Sequence, residues 1–105
     1  WDMGKAFDRS APIAPLVPMA NVGSLEAGRI WLAVNGEVKQ DADLSDLIWS
    51  VREHLSILSR YVTLAPGDLI MTGTPAGVGP VTVGDRITGS VAGLMEIEID
   101  ICEPD

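Results

Sequence analysis

The sequence predicts an α+β fold that is mainly β, in one domain of 105 residues. Three observations lead to this class. An Asn-Gly pair separates two strand-like runs, an amphipathic stripe covers residues 45–61, and apolar and acidic residues alternate over residues 94–101. Because the order is hairpin, helix and then further strands, we expect an antiparallel or mixed sheet.

Residues 1–29 are predicted to be irregular. Pro12, Pro15 and Pro18 recur at every third position, and proline lacks a backbone donor and favours extended backbone. Apolar side chains between the prolines indicate that this segment packs against the domain rather than serving as a free linker. These are Ile13, Leu16, Val17 and Met19.

A β-hairpin is predicted over residues 30–40. Asn35-Gly36 lies between two runs of strand-forming residues, and a type I′ turn needs positive φ at both of its central residues. The helix predicted over about 45–61 has its apolar residues at steps of three and four, with Ser45 or Asp43 as the N-cap. The stripe consists of Leu44, Leu47, Ile48, Val51, Leu55, Leu58 and Val62.

The rest of the chain is predicted to be β structure. We expect strands over residues 69–72, 86–91 and 94–101, with turns at 66–68 and 83–85. In the last strand the apolar residues alternate with acidic ones, which predicts one buried face and one face in water. The acidic residues are Glu96, Glu98 and Asp100.

Charge and composition exclude several classes of function. The formal net charge is −8, so nucleic acid and anionic lipid are unfavourable partners. The sequence has no apolar run of transmembrane length, and we expect no signal peptide. The single cysteine, Cys102, allows no intrachain disulfide, fits a reducing, cytoplasmic location, and is read as an unreactive thiol. Because Trp1-Asp2-Met3 is not a translation start, we expect a fragment.

The most informative stretch is the loop of residues 72–79, called here the glycine loop. Thr72, Gly73 and Thr74 follow a predicted strand, so hydroxyls and backbone N–H groups can approach a ligand closely. It lacks the Gly-Lys-Ser/Thr ending of a phosphate loop. A purely structural connection between strands remains an alternative.

Lys5 is the second candidate site residue, because a lysine between small or apolar neighbours can hold a developing enolate or carboxylate oxygen. The alternative is an ordinary surface lysine. An anionic substrate would need such a local cation, or a divalent metal, in a chain of this net charge. His54 is interpreted as a boundary residue of the helix, and the acidic residues of 96–100 as a solvated strand face.

Seven motifs together resemble the fumarylacetoacetate hydrolase family, and in particular its fumarylpyruvate and other acylpyruvate hydrolases. The resemblance covers essentially this whole chain but only about the C-terminal half of a family catalytic domain. The motifs are Gly-Lys-Ala-Phe-Asp (4–8), Ser-Ala-Pro (10–12), Val-Asn-Gly-Glu (34–37), Leu-Ala-Pro-Gly-Asp (64–68), Thr-Gly-Thr-Pro-Ala-Gly-Val-Gly (72–79), Gly-Asp (84–85) and Gly-Leu (93–94).

The resemblance implies a rolled, mixed β-sheet, a homodimer, and metal-dependent hydrolysis of a C–C bond in an acylpyruvate of aromatic catabolism. Lys5 would stabilise the enolate oxygen, and Thr74 would bind the substrate carboxylate in a pocket shaped by Thr72 and Gly73. The metal, Mg²⁺ or else Mn²⁺ or Ca²⁺, would be held by a Glu-x-Glu pair and an Asp that lie upstream of the lysine motif, outside this chain.

Two other functional readings stay open at this point. The same enolate chemistry serves isomerases of 2-hydroxy-dienedioates and decarboxylases of oxaloacetate, so the resemblance does not fix the reaction. A third possibility is a sheet module that acts only in structure or oligomerisation. In every case we expect the partner to be a small anionic oxo acid or another protein copy.

Overall fold

The computed structural model describes residues 2–23 and 25–104. Its helices are short and its strands form one sheet. In chain order the elements are α1 (Asp2–Lys5), α2 (Met19–Val22), β1 (Arg29–Val34), β2 (Glu37–Asp43), a 3-10 helix (Leu44–Asp46), α3 (Val51–Leu58), β3 (Arg86–Val91) and β4 (Ile97–Asp100).

The four described strands pair in the order β2-β1-β3-β4, and every pair is antiparallel. The predicted hairpin is confirmed: Asn35 and Gly36 connect β1 to β2 with φ values of 51° and 82°. The α+β, mainly β class is confirmed as well. The parallel pairs that a mixed sheet requires do not occur among these four strands.

Strand β2 forms one edge of the sheet and carries an irregularity. Leu32 of β1 is opposite Gln40, whereas the next residue, Ala33, is opposite Val38. Lys39 is therefore an extra residue on β2, which makes this position a β-bulge. A bulge bends its strand and changes the direction in which the neighbouring groups point.

The predicted helix over 45–61 is wrong in its extent, because α3 spans only Val51–Leu58. Its N-cap is Ser50, whose Oγ accepts from the N–H of Glu53 while the Glu53 carboxylate accepts from the N–H of Ser50. Asp43 caps the 3-10 helix instead, where it accepts from the N–H of Ser45. Two successive capping motifs thus divide the apolar stripe into two short helices.

Two of the predicted strands also differ. Residues 69–72 form no strand, and the strand predicted over 94–101 is shortened to Ile97–Asp100. An apolar run becomes a strand only where a neighbour supplies its hydrogen-bond partners. Among the four described strands none pairs with residues 69–72. The turns predicted at 66–68 and 83–85 are present.

The described part of the chain has almost no closed core. Within it, only Ala33 and Gly89 are buried. The radius of gyration is 15.1 Å, larger than the roughly 13 Å expected of a compact domain of about 100 residues. The apolar side chains therefore meet in an open face rather than an enclosed interior.

This open face is called here the apolar groove. It has a volume of about 1360 Å³ and is lined by residues 14–17, 30–32 and 89–91, with Val51 and Leu55 from α3. Sites for small molecules are typically ~300–1,000 Å³ and largely enclosed. The groove is wider and more apolar than a small oxo acid requires. None of the described helices is long and apolar enough to span a membrane.

Candidate active site

The glycine loop lies against the edge strand β2. The side-chain amide of Gln40 donates from Nε2 to Thr74 Oγ1 and to the carbonyl oxygen of Pro75, both at 2.8 Å. Gln40 is 34 residues from Thr74 in the chain. This contact fixes the middle of the loop relative to the sheet.

A second contact between the loop and β2 is made at Gly77. Its φ is 106°, in the region that favours glycine, and a Cβ built there would overlap the carbonyl oxygen of Lys39. The same Cβ would lie 3.0 Å from the Lys39 carbonyl carbon and 3.2 Å from Gln40 Cγ. Only glycine lets the two backbones approach this closely at the bulge.

The three loop residues predicted to bind substrate differ in exposure. Thr72 is half-buried, whereas Gly73 and Thr74 are exposed. Gly73 has a φ of 122°, which a side chain would strain. The Thr74 hydroxyl is thus held by Gln40 on one side and is open to solvent on the other.

Lys5 is the last residue of α1 and its side chain is exposed. Within residues 2–23 and 25–104, no hydrogen bond or ion pair joins it to Thr72, Gly73 or Thr74. The structure holds Thr74 in place through Gln40, whereas the Lys5 side chain is exposed. The convergence of Lys5 and Thr74 on one substrate stays a prediction.

The described residues contain no group of three or more His, Cys, Asp or Glu side chains that could hold a metal ion. The carboxylates of β4 are already paired, since Arg86 contacts Glu98 at 2.7 Å and Asp100 at 2.8 Å. Glu96 is exposed.

Hydrogen bonds lower the pKa of four described carboxyl groups, those of Asp41, Asp43, Asp85 and Asp100. The N–H of Thr82, followed by the Asn35 amide, lowers the pKa of Asp85. The N–H and hydroxyl of Ser45 and the N–H of Gly28 lower the pKa of Asp43. These two shifts are caused by hydrogen bonds that favour the ionised carboxylate.

A comparison with known families identifies the family of this chain. The family model "Fumarylacetoacetate (FAA) hydrolase C-terminal" matches residues 1–102. The chain belongs to the fumarylacetoacetate hydrolase family.

Within the fumarylacetoacetate hydrolase family, the proteins similar to this chain include a hydrolase and a tautomerase. A fumarylpyruvate hydrolase from Ralstonia sp. is 48% identical over 101 residues, which is 96% of this chain and 52% of the relative. A mitochondrial oxaloacetate tautomerase from Oryza sativa subsp. japonica is 39% identical, over 96% of this chain and 45% of the relative. The chain thus spans about half the length of the relatives it matches.

Solved structures of family members show the same fold. The fumarylpyruvate hydrolase of Pseudomonas aeruginosa, solved in complex with Mn²⁺ and pyruvate, has a TM-score of 0.94 and 51% identity. The match covers 97% of this chain and 44% of the Pseudomonas aeruginosa chain. The maleylpyruvate hydrolase of Sphingobium sp. SYK-6, solved in complex with manganese (II) ion and pyruvate, has a TM-score of 0.88 and 35% identity. This match covers 92% of this chain and 37% of the Sphingobium chain.

Gln40 is the residue that sequence reasoning missed. It lies in a hairpin strand without any local motif, and its partner is distant in the chain. It lies three residues after the matched segment 34–37, a position that does not indicate contact with the glycine loop. His54 is half-buried on α3 and Cys102 is exposed; neither contacts the loop through a described hydrogen bond.

Proposed function

We propose that the chain supplies part of the active site of a divalent-metal-dependent acylpyruvate hydrolase. The substrate is a fumarylpyruvate-like acid, and one product is pyruvate. The observation that carries the proposal is the glycine loop, whose Thr74 hydroxyl is held in place by Gln40 and open to solvent. Support comes from the fumarylpyruvate hydrolase of Ralstonia sp., to which the chain is 48% identical.

In the proposed reaction, water adds to the ketone carbon of the acylpyruvate and the C–C bond to the pyruvate methylene breaks. The electron pair of that bond moves onto the pyruvate oxygen as an enolate, which takes a proton at carbon to give pyruvate. The acyl half leaves as a carboxylic acid. The Lys5 ammonium would offset the negative charge on the enolate oxygen, and the Thr74 hydroxyl would donate to the 2-oxo acid carboxylate.

We propose further that residues 1–105 are the C-terminal portion of one catalytic domain, and that the metal ligands belong to the part not spanned here. The apolar groove supports this view, because Leu16 is 76% and Met19 72% exposed along it. Apolar side chains gain about 25 cal/mol for each Å² removed from water. A face of this kind is stabilised once the remainder of the domain covers it. Homodimer formation and a cytoplasmic location belong to the same proposal.

A second candidate function is tautomerisation or decarboxylation of oxaloacetate. The relative from rice that favours it is an oxaloacetate tautomerase with 39% identity over 96% of this chain. Oxaloacetate and an acylpyruvate both contain a 2-oxo acid, and both reactions pass through an enolate. The residues described here would serve either one.

The test uses the full-length protein with Mg²⁺ or Mn²⁺ and two substrates, fumarylpyruvate and oxaloacetate. We expect pyruvate and fumarate from the first, measured by coupling pyruvate to lactate dehydrogenase. Lys5→Ala is expected to lower kcat at least 100-fold, in line with the loss of a group that stabilises developing charge. Arg52→Gln, an exposed cation on α3, is the matched control and is expected to retain activity.

Rapid enol–keto exchange of oxaloacetate without pyruvate release from fumarylpyruvate would favour the second candidate. Pyruvate from oxaloacetate alone would point to decarboxylation. A wild-type protein inactive on both substrates would contradict the enzymatic proposal, and a fully active Lys5→Ala variant would contradict the proposed role of Lys5.

A further inference from the structure

We propose that Gln40 is a positioning residue that orients the Thr74 hydroxyl as a hydrogen-bond donor toward the carboxylate of the oxo-acid substrate. This inference rests on the proposed function and adds to it a residue outside the glycine loop. It follows from the two hydrogen bonds of the Gln40 amide, the bulge at Lys39 and the close approach at Gly77.

The orientation of the Gln40 amide is determined by Pro75. A backbone carbonyl oxygen can only accept a hydrogen bond, so the group 2.8 Å from Pro75 O must be the NH₂ and not the amide oxygen. The same nitrogen is 2.8 Å from Thr74 Oγ1. The Thr74 oxygen therefore acts as the acceptor in this pair.

The direction of this hydrogen bond decides what Thr74 can do. A hydroxyl has one proton to donate, and in accepting from Gln40 the Thr74 oxygen keeps that proton for another partner. Thr74 is exposed, so an incoming carboxylate can reach it. A hydroxyl that already accepts a hydrogen bond is also polarised into a stronger donor.

The backbone geometry holds this arrangement. The extra residue Lys39 bends the edge strand, and its carbonyl meets the loop at Gly77. The adjacent Gln40 then reaches Thr74 and Pro75. Two anchor points three residues apart on the loop, at Thr74 and Gly77, fix its distance from the sheet before any ligand binds. Pre-organisation of this kind lowers the entropy cost of binding.

The decisive variant is Gln40→Glu in the full-length protein, because it keeps the shape and reverses the hydrogen bond. At pH 7 the new carboxylate would accept from Thr74, repel the Pro75 carbonyl and place a negative charge near the substrate carboxylate. We expect KM for fumarylpyruvate to rise roughly tenfold or more, which corresponds to one lost charge-assisted hydrogen bond, with kcat changed less than threefold.

A purely structural role of Gln40 is distinguished from a positioning role by repeating the KM measurements in a Thr74→Val variant. This comparison uses Gln40→Met, which removes the amide donor and adds no charge that could act on the substrate without Thr74. If Gln40 acts through the Thr74 hydroxyl, Gln40→Met raises KM when Thr74 is present but by less than about threefold once that hydroxyl is absent. The dissociation constant of pyruvate, measured by calorimetry, is expected to change in the same way as KM. Arg52→Gln changes the net charge by the same amount as Gln40→Glu and is expected to leave KM unchanged. Gln40→Met by itself is expected to raise KM when Thr74 is present, and it also serves where Gln40→Glu does not fold.

The outcomes separate this inference from the proposed function. An active protein whose KM is unaffected by Gln40→Glu, or is raised equally by Gln40→Met with and without the Thr74 hydroxyl, overturns the positioning role alone. A wild-type protein with neither turnover nor affinity for pyruvate overturns the proposed function and the positioning role together.

Discussion

The side chain of Asn35 joins the hairpin turn to the start of β3 by contacting Asp85, fifty residues further along the chain. Asn35 Nδ2 donates to Asp85 Oδ1 at 2.9 Å, and Asn35 Oδ1 accepts from the N–H of Arg86 at 2.9 Å. The backbone N–H of Asn35 also donates to the carbonyl of Arg86 at 2.8 Å. The turn residue thus also ties the β1–β2 hairpin to the turn that precedes β3.

Replacement of Asn35 separates its two roles, the positive φ of 51° and the side-chain hydrogen bonds. Asn35→Gly keeps the φ and loses the bonds, whereas Asn35→Ala loses both. We expect the free energy of unfolding of the full-length protein to fall in the order wild type, Gly variant, Ala variant. The gap between the two variants should be about 1 kcal/mol, the cost of a left-handed conformation in a residue with a Cβ. Equal stabilities in urea titrations would show that φ carries no cost at this turn.

Asp85 is predicted to make stability depend on pH. Hydrogen bonds from the Thr82 N–H and the Asn35 amide lower its pKa in the folded chain below the ordinary value of 3.8. The unfolded state therefore binds the proton more readily, so this contribution is present above pH 3.8 and is lost as pH falls through the folded pKa. We expect the Tm difference between wild type and Asp85→Asn to be constant from pH 7 to about 5 and to shrink below about 4. Parallel Tm curves down to pH 3 would contradict this assignment.

Gly77→Ala tests the approach of the glycine loop to β2. The added methyl group would meet the Lys39 carbonyl, and the residue would keep a φ of 106°. We expect a loss of about 2 kcal/mol in the free energy of unfolding, together with a raised KM because Thr74 moves with the loop. Gly79→Ala is the control in the same loop, since a Cβ built at Gly79 has no atom within 4 Å. It should change stability by less than about 0.5 kcal/mol, and a loss equal to that of Gly77→Ala would refute the close contact.

The N-cap of α3 is tested by Ser50→Ala. The variant removes the oxygen that accepts from the N–H of Glu53, at 3.2 Å, and it should cost about 1 kcal/mol in the free energy of unfolding. Ser56→Ala, at an exposed position inside the same helix, is expected to be neutral or slightly stabilising because alanine favours helix. If helix α3 began near Ser45, as the apolar stripe suggested, Ser50→Ala would have no such effect.

Features decided by neighbouring residues could be predicted from the sequence. Asn35-Gly36 specifies its turn because few residues accept positive φ, and the alternation of Glu98 and Asp100 with apolar residues specifies a half-exposed strand. The start of helix α3 was harder to predict. The apolar stripe has the same period before and after Ser50, so only the Ser50–Glu53 capping box marks the true start.

Strand pairing could not be predicted from the local sequence pattern. Residues 69–72 are as apolar as a buried strand, yet they pair with none of the four described strands. In the candidate site, too, local sequence features could be predicted and contacts between distant residues could not. The glycine loop and Lys5 stood out by residue type, whereas nothing near Gln40 in the sequence indicated its contact with Thr74.

The sequence by itself determined the mainly β class, the hairpin, the family and the residues proposed to meet the substrate, because each depends on a short motif. Only the tertiary structure decided that β2 is an edge strand with a bulge at Lys39, and that Gln40 and Gly77 hold the loop beside it. The physical reason is that the contacts of Gln40 and Lys39 with the glycine loop join groups more than thirty residues apart. Their geometry depends on how the whole sheet twists and pairs, and this information is not contained in any one segment.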